Sequence, residues 1–415
     1  RGQGTTARPR SPLRSAASAP ARGPGLGSNP RHPREPGPCP SPITMAEGVA
    51  LLAAVTVGSA AVVWLRRHRL LGFSVATLMD IWGRDRAKPP AGTPPEEWLD
   101  EQRARREALP HTTALERARG VQPAWALESA AVVKDEVIFS TYDSAPIGVR
   151  VVMPRRMPTD NTSPMCVFLH GGGWVFGGRG THDHIARRFA YSGIVTVLIE
   201  YRRSPEHRFP VPLLDCMDGI QWASRTAPGL GCDPTQLVVA GDSAGANLAF
   251  AACLKGRDND WAGYEHDSGP VAGMLLVYPC LSRQLVTEPG GSYERFAEGY
   301  GLSRDDMAWY WEQYGGCPVG DPVDPEEEPY LAPLDVRANF SLMPPAKILL
   351  ADHDVLRDDG EQMAGRLRAA GVHVSVDSVR YTVHGLYHNR RLDPGAWEAF
   401  MEKSVEFIRR ATQGE

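Results

Sequence analysis

Residues 237–249 read Leu237-Val-Val-Ala-Gly-Asp-Ser-Ala-Gly-Ala-Asn-Leu-Ala249, an apolar run followed by a turn of small residues and a helix-like run. Within it, Gly241 to Gly245 match G-x-S-x-G, the pattern of a sharp strand-to-helix turn that exposes a serine hydroxyl above a sheet. Glycine on both sides of Ser243 removes Cβ atoms that would collide in such a turn. A five-residue pattern also arises by chance, so the strand and helix around it are what favour a nucleophilic serine.

A second glycine-rich motif, Phe168-Leu-His-Gly-Gly-Gly-Trp174, also follows a strand-like run. Three consecutive glycines let backbone N–H groups approach a substrate oxygen closely. Together with the N–H of Ala244 they predict an oxyanion hole, which stabilises the charge of a tetrahedral intermediate. A merely flexible loop is the alternative, and the presence of both motifs in this order disfavours it. We expect His170 to fix the loop by hydrogen bonding rather than to act as the base.

A nucleophilic serine needs a histidine base and an acid that orients it. Asp354 follows the apolar run 348–351, and His384 follows the next predicted strand, so both lie at strand ends. Because serine, acid and histidine occur in that order in enzymes with this type of turn, we predict the triad Ser243, Asp354 and His384. Neighbouring residues that compete for these roles by proximity alone are Asp352, Asp358 and His388.

Short apolar runs alternate with helix-length segments through the body of the chain, which predicts an α/β fold: a mostly parallel central sheet flanked by helices. A hairpin is predicted around 136–142 and 147–153. The predicted strands are 165–169, 194–199, 237–240, 274–278 and 348–351, and the predicted helices are 211–223, 244–254, 360–370 and 396–411. Residues 283–335 break this rhythm and predict an insertion that contributes to a cap.

The N-terminal part differs in composition from the rest. Residues 1–44 are rich in Arg and Pro and poor in bulky apolar residues, so we expect them to be disordered or absent from the mature protein. Residues 48–65 carry no charge and end at basic residues, which predicts a single membrane anchor over 45–70. A cleaved signal peptide or a buried helix is the alternative. We expect 71–130 to form a cap or lid, and 131–415 the catalytic domain.

The membrane orientation depends on where the mature chain starts. With Met45 first, the basic residues lie only on the C-terminal side of the anchor and place the large domain in the cytosol. With residues 1–44 retained, both flanks are basic and the orientation stays open. Sequons at Asn161 and Asn339 would suit a lumenal domain, but such short motifs are frequent by chance.

Composition excludes several classes of protein. The chain has 415 residues, 42% of them hydrophobic, and a formal net charge of −4, which argues against binding to nucleic acid. Seven cysteines without a C-x-x-C pair argue against a zinc ribbon or a small disulfide scaffold. His182 and His184 lack an evident third ligand, so no metal site and no cofactor is predicted. Trp309 and Trp311 are expected either to line an acyl pocket or to pack within the cap.

The chain resembles the hormone-sensitive-lipase group of α/β-hydrolases and, within it, arylacetamide deacetylase and neutral cholesterol ester hydrolase. The resemblance runs from about Glu136 to the end and rests on the segments 170–174, 201–210, 241–245, 330–334 and 354–358. It implies a Ser243–Asp354–His384 triad and an oxyanion hole. The donors it implies are Gly172, Gly173 and Ala244, and the supporting motif residues are His170, Gly171, Trp174, Gly241, Asp242 and Gly245.

The sequence and the resemblance together predict a membrane-anchored serine hydrolase of hydrophobic carboxylic esters, such as acetyl esters, acylglycerols or sterol esters. The resemblance implies a single-pass protein of the endoplasmic reticulum. However, some relatives carry a cysteine pair where this chain has Val175 and Leu350, so a lumenal marker is missing. The alternatives are an amidase with the same triad and a non-catalytic small-molecule receptor, although His384 disfavours the receptor. The sequence leaves the oligomeric state open.

Overall fold

The apolar runs of the sequence become the strands of one sheet in the computed structural model, which describes residues 127, 129–158, 162–259, 271–324, 326–390 and 393–414. The strands are β1 (Ala131–Phe139), β2 (Pro146–Pro154), β3 (Ser163–Leu169), β4 (Val195–Glu200), β5 (Cys232–Asp242), β6 (Val271–Val277), β7 (Ala346–His353) and β8 (Val374–Val383). The helices are α1 (Arg179–Tyr191), α2 (Val211–Thr226), α3 (Ala244–Asp258), α4 (Gln284–Thr287), α5 (Gly291–Arg295), α6 (Arg304–Gly315), α7 (Glu328–Leu331), α8 (Arg357–Ala369) and α9 (Pro394–Ala411). A 3-10 turn, Ala227–Leu230, follows α2.

The strand order across the sheet is β1-β2-β4-β3-β5-β6-β7-β8. β1 pairs antiparallel with β2, and β2 pairs antiparallel with β4. All other neighbouring pairs are parallel. The prediction of a mostly parallel sheet that begins with a hairpin is therefore confirmed.

Both faces of the sheet are covered, as the nearly continuous apolar strands require. In β3, Met165, Val167 and Leu169 point into one core, whereas Cys166 and Phe168 point into the other. This alternation follows from the two-residue period of a strand. Helices α2, α3 and α8 pack on the first face, and α1 and α9 pack on the second. A parallel sheet covered in this way presents its functional groups at the carboxyl ends of its strands.

The chain between β6 and β7 holds α4 to α7, within the insertion predicted at about 283–335. Helix α6 begins at a capping box, in which Ser303 and Asp306 each accept a hydrogen bond from the other's backbone N–H. Its buried aromatic side chains join the core on the face of α3. The insertion is thereby fixed above the carboxyl ends of the strands.

The N-terminal predictions concern residues whose structure is not described. The segment 1–44, the anchor 45–70 and almost all of the lid 71–130 lie outside the described residues. Among the residues that are described, no helix combines the length and the apolar character needed to span a bilayer. The predicted hairpin, by contrast, is described: its first strand spans Ala131–Phe139 rather than 136–142, and its second spans Pro146–Pro154.

Candidate active site

Ser243 occupies the turn between β5 and α3, where the sequence predicts it. Its backbone has φ 55° and ψ −122°, a conformation that L-residues rarely adopt. The turn is held because the Ser243 N–H donates to the Val277 carbonyl of β6 at 2.9 Å. A Cβ atom on Gly241 would lie 2.3 Å from the Gly245 oxygen, and one on Gly245 would lie 2.0 Å from the Leu169 oxygen. The two glycines of the motif are therefore required by close backbone approach.

His384 and Asp354 complete a hydrogen-bonded chain with this serine. His384 Nε2 lies 3.0 Å from Ser243 Oγ, and its Nδ1 lies 2.8 Å from Asp354 Oδ2. The Asp354 side chain is fully buried, whereas the histidine ring keeps 12% exposure. An orienting carboxylate on Nδ1 leaves Nε2 as the atom that can accept the serine proton. The structure thus brings together the three residues predicted for the triad.

The competing acids have other partners. Asp354 lies just after β7, and its Oδ1 accepts the Leu356 N–H at 3.0 Å, which fixes the carboxylate. Asp352 instead contacts the Arg357 guanidinium at 3.2 Å. Asp358 accepts the Ser292 N–H at 2.8 Å, on the insertion. The distances therefore favour Asp354 as the acid that faces the histidine.

The glycine loop follows β3, and its first glycine contacts Asp242, the residue before the nucleophile. Gly172 and Gly173 have φ of +120° and +61°, and Trp174 has φ of 59°. These left-handed conformations, which residues other than glycine rarely adopt, set the directions in which the backbone N–H groups point. Within the described part of the chain, the N–H groups of Gly172, Gly173 and Ala244 donate no hydrogen bond. Other protein groups thus leave these donors unused, and their role as the oxyanion hole stays a prediction.

His170 lies at the start of the glycine loop, where it is expected to fix the loop by hydrogen bonding. It is buried, stacks on Tyr201 with ring centroids 4.1 Å apart, and places Nδ1 3.0 Å from the Gly171 carbonyl. The Tyr201 hydroxyl donates to the His170 carbonyl at 2.6 Å. Burial lowers the pKa of His170 to about 4, so the ring is neutral near pH 7. The ring therefore supports the start of the glycine loop without carrying charge.

Asp242, next to the nucleophile, lies at the centre of a buried cluster that the sequence does not reveal. Its Oδ1 accepts the Gly171 N–H at 2.9 Å and lies 3.0 Å from His182 Nε2. Its Oδ2 lies 3.5 Å from His388 Nδ1. Burial alone would raise the pKa of Asp242, but the two imidazoles lower it well below the usual range. The carboxylate is therefore ionised.

His182 and His388 are the functional candidates that sequence reasoning missed. In the sequence, His182 forms only half of a weak H-x-H metal pattern with His184, and His388 has the features of a surface or packing residue. In α1 the two histidines of that pattern diverge, since His182 faces Asp242 while His184 lies 6.0 Å from the Trp397 ring. Side chains two apart on a helix do not share a face. Only the fold brings His182, Asp242 and His388 within common reach of one another.

Aromatic side chains of the insertion pack on the glycine loop. Trp311 is fully buried, with its ring 4.5 Å from Trp174, which also stacks on Tyr314 at 4.3 Å. Tyr310 lies against Gly173, where a Cβ atom would come within 2.1 Å of the tyrosine ring. Trp309 is only half-buried. Of the two alternatives for Trp311, these contacts favour cap packing.

Comparisons with known proteins agree with this geometry. A family described as the alpha/beta hydrolase fold matches residues 166–388, which include both motifs and the three triad positions. The carboxylesterase NlhH of Mycobacterium tuberculosis is 37% identical over 259 residues, which are 61% of this chain and 75% of NlhH. The carboxylic ester hydrolase LipN of the same organism is 37% identical over 236 residues, which are 56% of this chain and 60% of LipN.

Solved structures of esterases share the fold. A bacterial heroin esterase aligns with a TM-score of 0.63 at 27% identity, covering 76% of this chain and 92% of that protein. A thermostable esterase from Pseudomonas putida aligns with a TM-score of 0.64 at 27% identity, covering 81% of this chain and 96% of that protein. The common architecture therefore extends beyond the two motifs to most of the described chain.

Proposed function

The chain belongs to the α/β-hydrolase family that contains these carboxylic ester hydrolases, and we propose that it hydrolyses esters with Ser243 as its nucleophile. The observation that carries this proposal is the continuous contact from Ser243 Oγ to His384 Nε2 and from His384 Nδ1 to Asp354. A serine alone is a weak nucleophile, and a base within hydrogen-bond reach is what activates it. The proposal requires neither a metal ion nor an organic cofactor.

The first half of the reaction transfers the acyl group to the protein. His384 Nε2 accepts the proton of Ser243 as Oγ attacks the ester carbonyl carbon, and the carbonyl π electrons move to its oxygen. The N–H groups of Gly172, Gly173 and Ala244 donate to that oxyanion. When the tetrahedral intermediate collapses, the carbon–oxygen bond to the alcohol breaks and His384 returns the proton to the departing oxygen.

The second half releases the acid. Water gives a proton to His384 Nε2 and attacks the acyl carbon, and the Ser243–acyl bond then breaks as His384 protonates the serine oxygen. Asp354 keeps the imidazole in one tautomer and stabilises its cationic form in both halves. The strained backbone at Ser243 keeps the nucleophile fixed between the histidine and the oxyanion donors.

The proposed substrates are esters with hydrophobic groups: acetyl esters of apolar alcohols, acylglycerols or sterol esters. The aromatic ring of Tyr310, which lies against Gly173 of the glycine loop, supports an apolar surround for the acyl group. The resemblance to arylacetamide deacetylase and neutral cholesterol ester hydrolase supports the same range of substrates. It also supports amide cleavage as a second activity, since ester and amide hydrolysis share the acyl-enzyme route.

Hydrolysis of p-nitrophenyl esters from acetate to decanoate tests the activity and its chain-length preference. We expect turnover by the wild type and none above background by Ser243→Ala, measured on detergent-solubilised full-length protein. A matched acetyl ester and acetanilide then compare the two activities. Equal turnover by both proteins would refute the role of Ser243. Absence of turnover in both, with ester ligands still binding, would instead support a receptor on the same fold.

Membrane attachment is a separate part of the proposal. The uncharged run 48–65, followed by Arg66, Arg67 and Arg69, supports a single anchor. We expect the full-length chain to stay with membranes in carbonate washes. A variant with Val55→Arg and Val62→Arg should be released, because charges at the centre of a span are costly. Release of both proteins would refute the anchor. In a separate assay, protease protection of sequence tags at either end would report the orientation.

A further inference from the structure

A fully buried carboxylate lies beside the nucleophile but outside the triad. Asp242 has no exposed surface, and a buried charge is costly unless other groups compensate it. Its compensating partners come from different parts of the chain: the Gly171 N–H, His182 and His388. Ser243 directly follows Asp242, so whatever fixes this carboxylate also fixes the turn that carries the nucleophile.

Asp242 contacts the two loops that complete the active site. Its bond to the Gly171 N–H restrains the first residue of the glycine loop, directly before the predicted oxyanion donors. Its contact with His388 restrains the loop that carries His384. The ring of His388 also packs against Gly385, where a Cβ atom would come within 3.1 Å of His388 Cε1. The residue after the catalytic base is thereby held by the same cluster.

His182 anchors the cluster to the body of the protein. It lies in α1, is almost completely buried, and places Nδ1 2.8 Å from the hydroxyl of Thr181. With Nδ1 engaged there, Nε2 faces the carboxylate of Asp242 at 3.0 Å. Since α1 packs on the sheet, His182 restrains the position of the Asp242 carboxylate relative to the sheet.

We propose that Asp242, held by His182 and His388, is a positioning residue. It keeps the glycine loop and the loop that carries His384 correctly placed relative to Ser243. This inference rests on the proposed esterase function. It differs from the triad because none of the three residues contacts the reacting atoms. Their removal acts through the geometry of Gly171 to Gly173 and of His384.

The same three side chains could also approach a metal ion, and this is the competing interpretation. His182, Asp242 and His388 each offer one ligand atom, all within 4.8 Å of one another. However, the Asp242 oxygen nearest His182 already accepts the Gly171 N–H, and a separation of 3.0 Å suits direct contact with the imidazole. These separations favour contacts among the protein groups themselves.

Steady-state kinetics on p-nitrophenyl acetate test the proposal in the full-length protein. Asp242→Asn keeps the shape of the side chain but loses its charge, and we expect kcat to fall about 100-fold with KM nearly unchanged. His182→Gln and His388→Gln should each lower kcat about 10-fold. The matched control is His184→Gln, in the same helix but on another face, which should keep the wild-type kcat.

The double variant of Asp242→Asn with His388→Gln gives the sharper readout. Because both residues act in one network, the double variant should be no slower than Asp242→Asn alone. If Asp242→Asn does not fold, the histidine variants test the proposal alone, since the ring of His388 is 37% exposed and its replacement is tolerable.

Four results would overturn the inference. The first three are a wild-type kcat in the folded Asp242 and histidine variants, additive losses in the double variant, and a loss of kcat in His184→Gln equal to that in His182→Gln. The fourth is a loss of wild-type activity with EDTA that Zn²⁺ restores. The last result would assign the cluster to a metal. An inactive wild type would instead refute the proposed function and this inference with it, so the two failures are distinguishable.

Discussion

Gly245 lies so close to Leu169 that a Cβ atom on the glycine would come within 2.0 Å of the Leu169 carbonyl oxygen. The start of the helix after the nucleophile is thereby packed against the strand that leads into the glycine loop. The contact joins the two motifs, one for attack and one for oxyanion binding, at a single point. Their relative position depends on the absence of one methyl group.

We therefore expect Gly245→Ala to destabilise the protein and abolish esterase activity. The clash is with backbone, which cannot rotate away, so the loss should reach about 3 kcal/mol in free energy of unfolding, the upper part of the range for overpacking. Urea denaturation measures it. Gly180→Ala is the matched control, because a Cβ atom on this glycine of α1 would meet nothing within 4 Å. A variant Gly245→Ala as stable and active as Gly180→Ala would contradict this packing.

The triad acid makes a second prediction. Asp354→Asn should lower kcat about 10⁴-fold, because an amide can hold His384 in the wrong tautomer and does not stabilise its cation. Asp352→Asn is the matched control: its carboxylate contacts Arg357 rather than the catalytic histidine, and kcat should stay near the wild-type value. Rates on p-nitrophenyl acetate decide between them. A larger loss in Asp352→Asn would exchange their roles.

The buried carboxyl of Asp359 should make the free energy of unfolding depend on pH. Burial raises the pKa of this carboxyl well above its usual range, although the Leu281 and Ser282 N–H groups donate to Oδ1 at 2.7 and 3.0 Å. Between about pH 4, where the unfolded chain loses this proton, and its higher folded pKa, the folded state binds more protons. The free energy of unfolding should then fall with rising pH, by up to about 1.4 kcal/mol per pH unit from this group.

Asp359→Asn should remove that contribution, because the amide oxygen can still accept both N–H groups while no proton is bound or released. Relative to the wild type, the variant should gain stability as the pH rises above about 4, where the unfolded chain has lost this proton and the folded wild type still keeps it. Urea denaturation across this range measures both proteins. Parallel curves for the two proteins would show that Asp359 titrates normally in the folded state.

The fold was predictable because local pattern and tertiary structure agree in its central strands. The runs at 165–169 and 237–240 are apolar on both faces, as strands covered by two helical layers must be, and β3 and β5 contain them. Helix α1 was missed for the opposite reason. Its buried positions include His182, His184 and Arg188 beside its apolar residues, so polar side chains interrupt the apolar stripe that would mark a helix. Those polar groups are tolerated because partners such as Glu398 meet them, with Arg188 Nε 2.9 Å from its carboxylate.

The triad was likewise predictable, since each member follows a strand and the carboxyl ends of parallel strands meet at one edge. The cluster around Asp242 was not. His182 precedes Asp242 by two strands and His388 follows it by three, and no spacing in the sequence links them. Such contacts between distant segments arise from how helices and loops pack on the sheet, which local patterns do not encode.

Trp311 allows the last prediction, which separates the two roles expected for the tryptophans of the insertion. Its ring is fully buried against Trp174, so Trp311→Ala leaves a large cavity and should cost about 3–5 kcal/mol in free energy of unfolding. The half-buried Trp309 is the matched control, and Trp309→Ala should cost clearly less. Because Trp174 ends the glycine loop, Trp311→Ala should also lower kcat equally for p-nitrophenyl acetate and decanoate. If Trp311→Ala were as stable as the wild type and shifted the chain-length optimum instead, the ring would line the acyl pocket and its packing role would be wrong.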